Sequence, residues 1–365
     1  MLWAIVAGCS RVTPPTNDDQ AEGTGGNDEV GGANGGLSGS GGVFDVGGAG
    51  GRVDLAQPTG PLHHPPPGFE KCIHAEVKKD CQDGWCELPA SCFVMGSPED
   101  EWKRGRNTET RIAAILTHDF ELQQTEMTRG MWKELFGVPP ESDDAVACQK
   151  DDCPATNLSW WDAIHAANEL SARQGLDLCY RTKNCSGALG TDLTCEGVFD
   201  SERSVQECQG YRLPTRAEAE FAARAGTTTP FYSGSITVQE GNECGVDSNL
   251  ESIAWYCSNA GSMTHPAATR LANDFGLFDL LGNAGEHLND EDGFTSSPGG
   301  ADPESWVGDS NERVRFGGDV RLPAFGLRAA SRLGLSWSAR SEFVGFRLIR
   351  TLFEDSERSG PIIEE

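Results

Sequence analysis

The cysteines constrain this chain more than any other feature, because its thirteen copies fall into even local groups and then stop. Cys72, Cys81, Cys86 and Cys92 form a group of four, and Cys148 and Cys153 form a pair. Cys179, Cys185, Cys195 and Cys208 form a second four, and Cys244 and Cys257 a second pair. With Cys9 set apart, every cluster is even, the pattern expected of local disulfides in an exported, oxidising compartment. Zinc is the rival reading. However, no Cys-x-x-Cys occurs, and the closest spacing, Cys81-Gln-Asp-Gly-Trp-Cys86, has four intervening residues. Each bridge restricts the unfolded chain and contributes about 2–4 kcal/mol. The pairing inside each group of four stays open. No cysteine follows Cys257, so the stretch RVRFGGDVRLPAFGLRAASR, Arg313 to Arg332, carries none.

The set-apart Cys9 closes a short apolar run, Val6-Ala7-Gly8-Cys9, that resembles the lipobox of bacterial lipoproteins. In such proteins this cysteine is acylated and becomes the first residue of the mature chain. The run is short and no basic segment precedes it, so this reading expects the true start to lie upstream. Residues 1–9 are then a signal remnant, and acyl chains are the membrane anchor, gaining about 0.8 kcal/mol per buried CH₂. The expected location is the bacterial cell envelope, on the outer membrane or cell surface. Residues 10–68 are dominated by Gly, Asn, Asp, Ser and Pro, and they offer too little apolar surface to offset ordering entropy. They read as a flexible linker with an end-to-end distance of roughly 40 Å, in which His63 and His64 are incidental. The globular domain spans 69–352, and an acidic tail, 353–365, follows. The net charge of −27 repels phosphate backbones and anionic membrane surfaces, which argues against nucleic acid as a partner.

Three helices are marked by their ends. Ser159-Trp160-Trp161-Asp162 is a capping-box pattern with Ala163, Ile164, Ala167 and Leu170 at helical spacing behind it, closing near Gly175. Thr215-Arg216-Ala217-Glu218 is a second such pattern, stopping at Gly226. A third helix follows Thr128 and ends near Gly137. Elsewhere apolar runs are short and separated by Gly, Asn and Asp, which predicts an α+β domain with irregular loops.

Several segments, in order, resemble the formylglycine-generating enzyme family, also called the sulfatase-modifying factor family. They are CFVMGSPEDE (Cys92 to Glu101), GYRLPTRAEAEFAARAG (Gly210 to Gly226), NDFGLFDLLGNAGEH (Asn273 to His287), RVRFGGDV and VGFRLIR (Val344 to Arg350). SWWDAIHAANEL and IAWYCSNAGSMTHPA fall between them in the family's order. The resemblance implies a fold related to C-type lectins, with little regular secondary structure, calcium-supported loops, and a twisted antiparallel sheet flanked by helices. Catalytic members oxidise a substrate cysteine to formylglycine with oxygen, using copper held by two thiolates, soft ligands that suit Cu(I).

Here the family's Gly-Gly-Ser stretch reads Gly317-Gly318-Asp319-Val320-Arg321-Leu322. Leu322 stands at the first thiol position, and the loop for the second is shortened to Pro323-Ala324-Phe325-Gly326-Leu327. The family's Trp-Glu-Trp becomes Gly285-Glu286-His287. These losses imply a domain without the copper oxidase. The expected role is a binding module for a protein or glycan in the envelope, with Gly285, His287, Asp319, Arg321 and Leu322 at its ligand pocket. The alternative is a surviving sulfatase-modifying oxidase or a related mononuclear-metal enzyme whose ligands the sequence leaves unassigned. Separately, Glu286, His287, Asp290 and Asp319 are a carboxylate and histidine set of the type that suits iron or zinc. The family's calcium site carries over to Asp279, the carbonyls of Gly282 and Ala284, and Glu286, all oxygen donors suited to a hard cation. A second calcium site begins at Asn259 but has no clear carboxylate. His165 reads as a half-buried structural residue, and Arg328, Arg332 and Arg347 as partners in internal salt bridges.

Overall fold

A computed structural model describes residues 67–353, except 106–107, 144, 200–203, 239–243, 293–298 and 306–310. The lipobox with Cys9, the Gly-rich segment through His63 and His64, and the tail from Glu354 lie outside the described residues. The N-terminal part runs β1 (Cys81–Gln82), β2 (Trp85–Leu88), β3 (Ser91–Met95), β4 (Ile112–Leu116), β5 (Phe120–Gln123), α1 (Arg129–Phe136) and α2 (Trp160–Arg173). It continues with β6 (Arg181–Lys183), β7 (Gly197–Phe199), β8 (Tyr211–Arg212), α3 (Arg216–Arg224) and β9 (Gly285–Glu291). The C-terminal part adds β10 (Gly300–Ala301), β11 (Glu312–Phe316), β12 (Arg332–Ser336), β13 (Val344–Gly345) and β14 (Ile349–Thr351).

The three helices form where their caps predict. Thr128 accepts from the Met131 amide, and Gly137 closes α1 in the left-handed region at φ 81°. Ser159 and Asp162, and Thr215 and Glu218, exchange both hydrogen bonds of a capping box at the starts of α2 and α3. One end shifts: the left-handed cap of α3 is Ala225 at φ 41°, one residue before the expected Gly226.

The strands do not merge into one continuous sheet. They divide into a five-stranded sheet ordered β1-β2-β5-β14-β8, a four-stranded sheet β12-β11-β9-β13, a three-stranded sheet β10-β4-β3 and the β6-β7 hairpin. Most pairings are antiparallel, but β10 with β4 and β13 with β9 are parallel. Left-handed residues at Gly96, Gly276, Gly282 and Gly317 interrupt the runs between strands, which is why no strand grows long. Two apolar clusters fill the interior. Phe93, Phe120, Phe221, Phe275 and Leu288 belong to one, and Trp132, Trp160, Trp161, Phe346 and Leu348 to the other. The chain entering the last strand serves both, since Leu348, just before β14, faces the second cluster and Ile349 the first.

Six disulfides join Cys72–Cys92, Cys81–Cys86, Cys148–Cys153, Cys179–Cys208, Cys185–Cys195 and Cys244–Cys257. Each lies within one of the local sequence groups, and in both groups of four the inner pair nests inside the outer.

Candidate functional site

The turn before β9 and the strand itself gather a buried acidic centre. Asp279, at φ 56°, and Gly282, at φ 89°, bend the chain tightly, and a side chain at Gly282 would meet the Trp255 carbonyl at 2.3 Å. Glu286 then projects from β9 into the interior. Arg347, between β13 and β14, grips it: Nε lies 2.8 and 2.9 Å from the two carboxylate oxygens, and an Nη lies 2.6 Å from one. The same guanidinium donates to the carbonyls of Gln123 and Phe278. Two more carboxylates stand near this pair. Asp279 Oδ2 accepts from the Ala268 amide at 2.7 Å, and Glu126 Oε1 accepts from the Ala284 amide at 3.4 Å. Asp279 Oδ1 and Glu126 Oε2 are shielded from water and have no hydrogen-bond partner.

Three buried carboxylates thus face one fully buried arginine. Burial, with Asp279 beside it, pushes Glu126 well above the usual carboxylate range. Burial likewise raises Asp279 to about 6. Burial raises Glu286 as well, although Arg347 works against it. Orphaned acceptor oxygens in a dry, electron-rich centre are what a hard, oxygen-ligated cation would satisfy. The donor types present suit calcium: the Asp279 carboxylate and the Gly282 and Ala284 carbonyls would hold it, with Glu286 sharing oxygens that Arg347 already engages. Asn259, the start of the second expected site, has its amide in use, accepting from the Tyr256 amide and donating to the Ala254 carbonyl and Glu251.

The second feature is the turn that β11 feeds. Gly317 and Gly318 are both left-handed, at φ 83° and 74°. A side chain at Gly317 would meet the Leu280 carbonyl at 2.7 Å, so the turn packs directly on the acidic centre's loop. It delivers Asp319 into full burial between two arginines, with Arg315 Nη at 3.2 Å and Arg321 Nη at 3.1 Å. Arg321 also donates its amide and its Nε to Asp319 Oδ1, at 2.9 and 3.1 Å. The Arg321 guanidinium lies over Phe343, 3.8 Å from the ring centroid, with 46% of its side chain exposed. Leu322 packs partly into the core, and its carbonyl accepts from the Cys257 amide. The 3-10 turn Ala324–Leu327 follows, presenting Phe325 edge-on to Trp102 at 5.6 Å, with the Lys103 ammonium 5.4 and 5.8 Å from the two rings. Arg328 fixes this short loop through Glu109 and Glu101, each at 2.6 Å, and through the Phe325 carbonyl.

A family model for the sulfatase-modifying factor enzyme 1-like domain matches residues 74–352. The chain belongs to the sulfatase-modifying factor family. Among curated members, it is 26% identical over 191 residues to the chaperone protein LppX of Paenibacillus barcinonensis, covering 47% of this chain and 62% of that relative. It is 24% identical over 238 residues to the formylglycine-generating enzyme of Mycobacterium tuberculosis, covering 56% and 73% respectively. In fold it resembles Treponema denticola variable protein 1, at TM-score 0.57 and 24% identity over 76% of this chain and 99% of that one. It also resembles PvdO from Pseudomonas aeruginosa, at TM-score 0.56 and 23% identity over 76% and 98%.

Set against the family's copper site, the residues present do not fit the metal. Leu322 offers no donor atom, and all twelve described cysteines are locked in disulfides, Cys257 beside Leu322 included. The mononuclear-metal alternative does not assemble either. Among the described residues Glu286, His287, Asp290 and Asp319 do not gather as one ligand set, since Glu286 is held by Arg347 and Asp319 by its arginines. His287 Nε2 donates to the Leu158 carbonyl at 3.0 Å, and burial lowers its pKa to about 4, so the imidazole is neutral. Asp290 accepts from the Arg216 and Ser305 amides, and burial raises it to about 7. Of the residues expected at a ligand pocket, Gly285, His287 and Asp319 are buried, whereas Arg321 is exposed and Leu322 half-buried. The half-buried His165 and the ion-paired Arg328, Arg332 and Arg347 are placed as their sequence contexts imply.

Sequence reasoning passed over Glu126, Arg315, Phe343 and Trp102. Glu126 carries a weak local signal, an acidic residue immediately before the Met127-Thr128 helix start. Arg315 lies only four residues from Asp319, whereas Phe343 and Trp102 join the site through contacts distant in sequence.

Proposed function

We propose that this member of the sulfatase-modifying factor family is an exported, lipid-anchored binding module that has given up copper oxidation. One observation carries the reading: the turn that holds the thiolate pair in catalytic relatives here holds a carboxylate clamped between Arg315 and Arg321, followed by Leu322. A soft-metal site has become a charge-compensated, rigid frame. What it presents outward is the Arg321 guanidinium stacked on Phe343, with the half-buried Phe325 and Trp102 on the neighbouring short loop. Flat aromatic and guanidinium surfaces of this kind supply contact area at low entropic cost, as recognition surfaces do. The similarity to a relative named a chaperone favours a protein partner in the envelope over a glycan. Calcium, held at Asp279, Gly282, Ala284 and Glu286, would serve as the structural cation beneath this frame, neutralising the buried carboxylates.

The oxidase is tested directly by oxygen uptake. The purified protein, reconstituted with Cu(I) and given a cysteine-containing sulfatase peptide, is expected to consume oxygen no faster than free copper at the same concentration. Turnover above that rate, with formylglycine in the peptide, would establish the enzyme reading instead.

The anchor is tested separately. Among the described residues no helix is long and apolar enough to cross a membrane. Replacing Cys9 with Ser is therefore expected to move the protein from the membrane fraction to the soluble fraction. Identical fractionation of the two forms would remove the lipid anchor from the account.

A further inference from the structure

Among the described residues, one group of three metal-capable side chains comes together: His165, Cys185 and Cys195. Their ligand atoms, one ring nitrogen and two sulfurs, all lie within 4.8 Å of one another. This group is separate from both the acidic centre and the Asp319 turn. His165 stands in the middle of α2, and its Nε2 is shielded from water without a hydrogen-bond partner. An unpartnered, shielded ring nitrogen is open to a ligand. The cysteines face each other across the β6-β7 hairpin, whose register, Arg181↔Phe199 through Lys183↔Gly197, continues to a bridge at Ser186↔Thr194. In the oxidised chain they are joined as a disulfide, which occupies both sulfurs.

We infer that this hairpin is a redox-gated metal site. Once its disulfide is reduced, the thiolates of Cys185 and Cys195 and the imidazole of His165 bind one ion of the zinc class.

Three features support this assignment. Cys185 is exposed, so a small dithiol can reach its sulfur. The hairpin stays closed without the disulfide, because backbone hydrogen bonds flank the cysteines. Ser186 and Thr194 exchange two at 2.9 Å, and the Glu196 amide donates to the Lys183 carbonyl at 3.0 Å. The Asn184 amide group adds a bond to Glu196 at 2.8 Å. The reduced thiols therefore remain apposed beneath His165. Finally, two thiolates and one imidazole are a donor set suited to zinc, with a fourth position left for solvent.

The chemistry balances with an external dithiol as reductant. One of its thiolates attacks Cys185 Sγ, the S–S bond breaks, and Cys195 leaves as a thiolate. The second thiol of the reagent then displaces Cys185, and the reagent becomes a disulfide, having given up two electrons. Zinc binding next displaces the two thiol protons to solvent.

The test uses limited treatment with dithiothreitol, mapping of the alkylated cysteines by mass spectrometry, and titration with cobalt(II) as a spectroscopic stand-in for zinc. The expected result is reduction at Cys185 and Cys195, followed by thiolate-to-cobalt charge-transfer absorption that saturates at one equivalent and is abolished by zinc. The His165→Ala variant, which keeps every cysteine, is expected to bind cobalt at least about tenfold more weakly, the lower end of what even outer-sphere losses cost. The Cys185→Ser/Cys195→Ser variant under the same treatment is expected to show no such absorption. Any of three results would overturn the inference: reduced Cys185 and Cys195 without cobalt absorption, equal absorption in the double variant, or unchanged affinity in His165→Ala.

Discussion

The Arg347→Met variant is expected to lose about 3–5 kcal/mol of folding stability, the usual cost of removing one partner from a buried ion pair. The geometry places it at the severe end. Arg347 is the hydrogen-bonded cation of Glu286, lies close enough to stabilise the charges of Glu126 and Asp279, and satisfies the Gln123 and Phe278 carbonyls. Without it, three buried carboxylates are left to repel one another or to take up protons. The double variant Arg347→Met/Glu286→Leu should recover part of the loss, because it removes the anion that Arg347 hydrogen-bonds, although Glu126 and Asp279 still lack their cation. Recovery should be incomplete, since the carbonyls released by the guanidinium stay unpaired. Denaturant titrations of the wild type and the single and double variants give the comparison. A single variant within about 0.5 kcal/mol of wild type, the range of ordinary surface substitutions, would contradict the description of this centre.

Calcium should have the second large effect. A ligand that binds only the folded state at a hundredfold over its dissociation constant stabilises by about 3 kcal/mol. The pH dependence identifies where it acts. In calcium-free protein Asp279 has its folded pKa raised to about 6 from 3.8, so the folded state holds the extra proton. Stability from this group is therefore highest near pH 4 and falls as pH rises to about 6. Asp290, raised to about 7, acts in the same direction whether or not calcium is present. Calcium needs the ionised Asp279, so the gap in Tm between calcium and chelator should widen from pH 5 to pH 7. The Asp279→Asn variant should close most of that gap. A gap that does not change with pH, or one that Asp279→Asn leaves intact, would place calcium elsewhere.

How much of this was readable before the fold was known depended on range along the chain. The caps of all three helices were legible because Thr128, Ser159-Asp162 and Thr215-Glu218 act within one turn. The even grouping of cysteines foretold local bridges, but not that Cys185–Cys195 would nest inside Cys179–Cys208, since spacing alone admits other pairings. The altered turn at Gly317 to Leu322 stood out against the family pattern, whereas the oxygen-donor set at Asp279 to Glu286 matched it. What stayed hidden was assembled by distant contacts. Glu126 arrives from the end of β5 to face Asp279, and Phe343 arrives from beyond β12 to carry Arg321. The imidazole of His165 meets a hairpin about twenty residues further on. Local propensity constrains none of these meetings; the packing of short strands and irregular loops around two apolar clusters does.

On the proposed reading a charge-locked frame over an oxygen-donor site stands where catalytic relatives hold a soft metal. Metal analysis of the folded protein tests it most directly, after equilibration with equal calcium and anaerobic Cu(I) and removal of unbound ions. The expected result is about one equivalent of calcium, lost in Asp279→Asn, and copper at background. One equivalent of retained copper, abolished by substitutions in the Gly317 to Leu327 segment, would contradict the account.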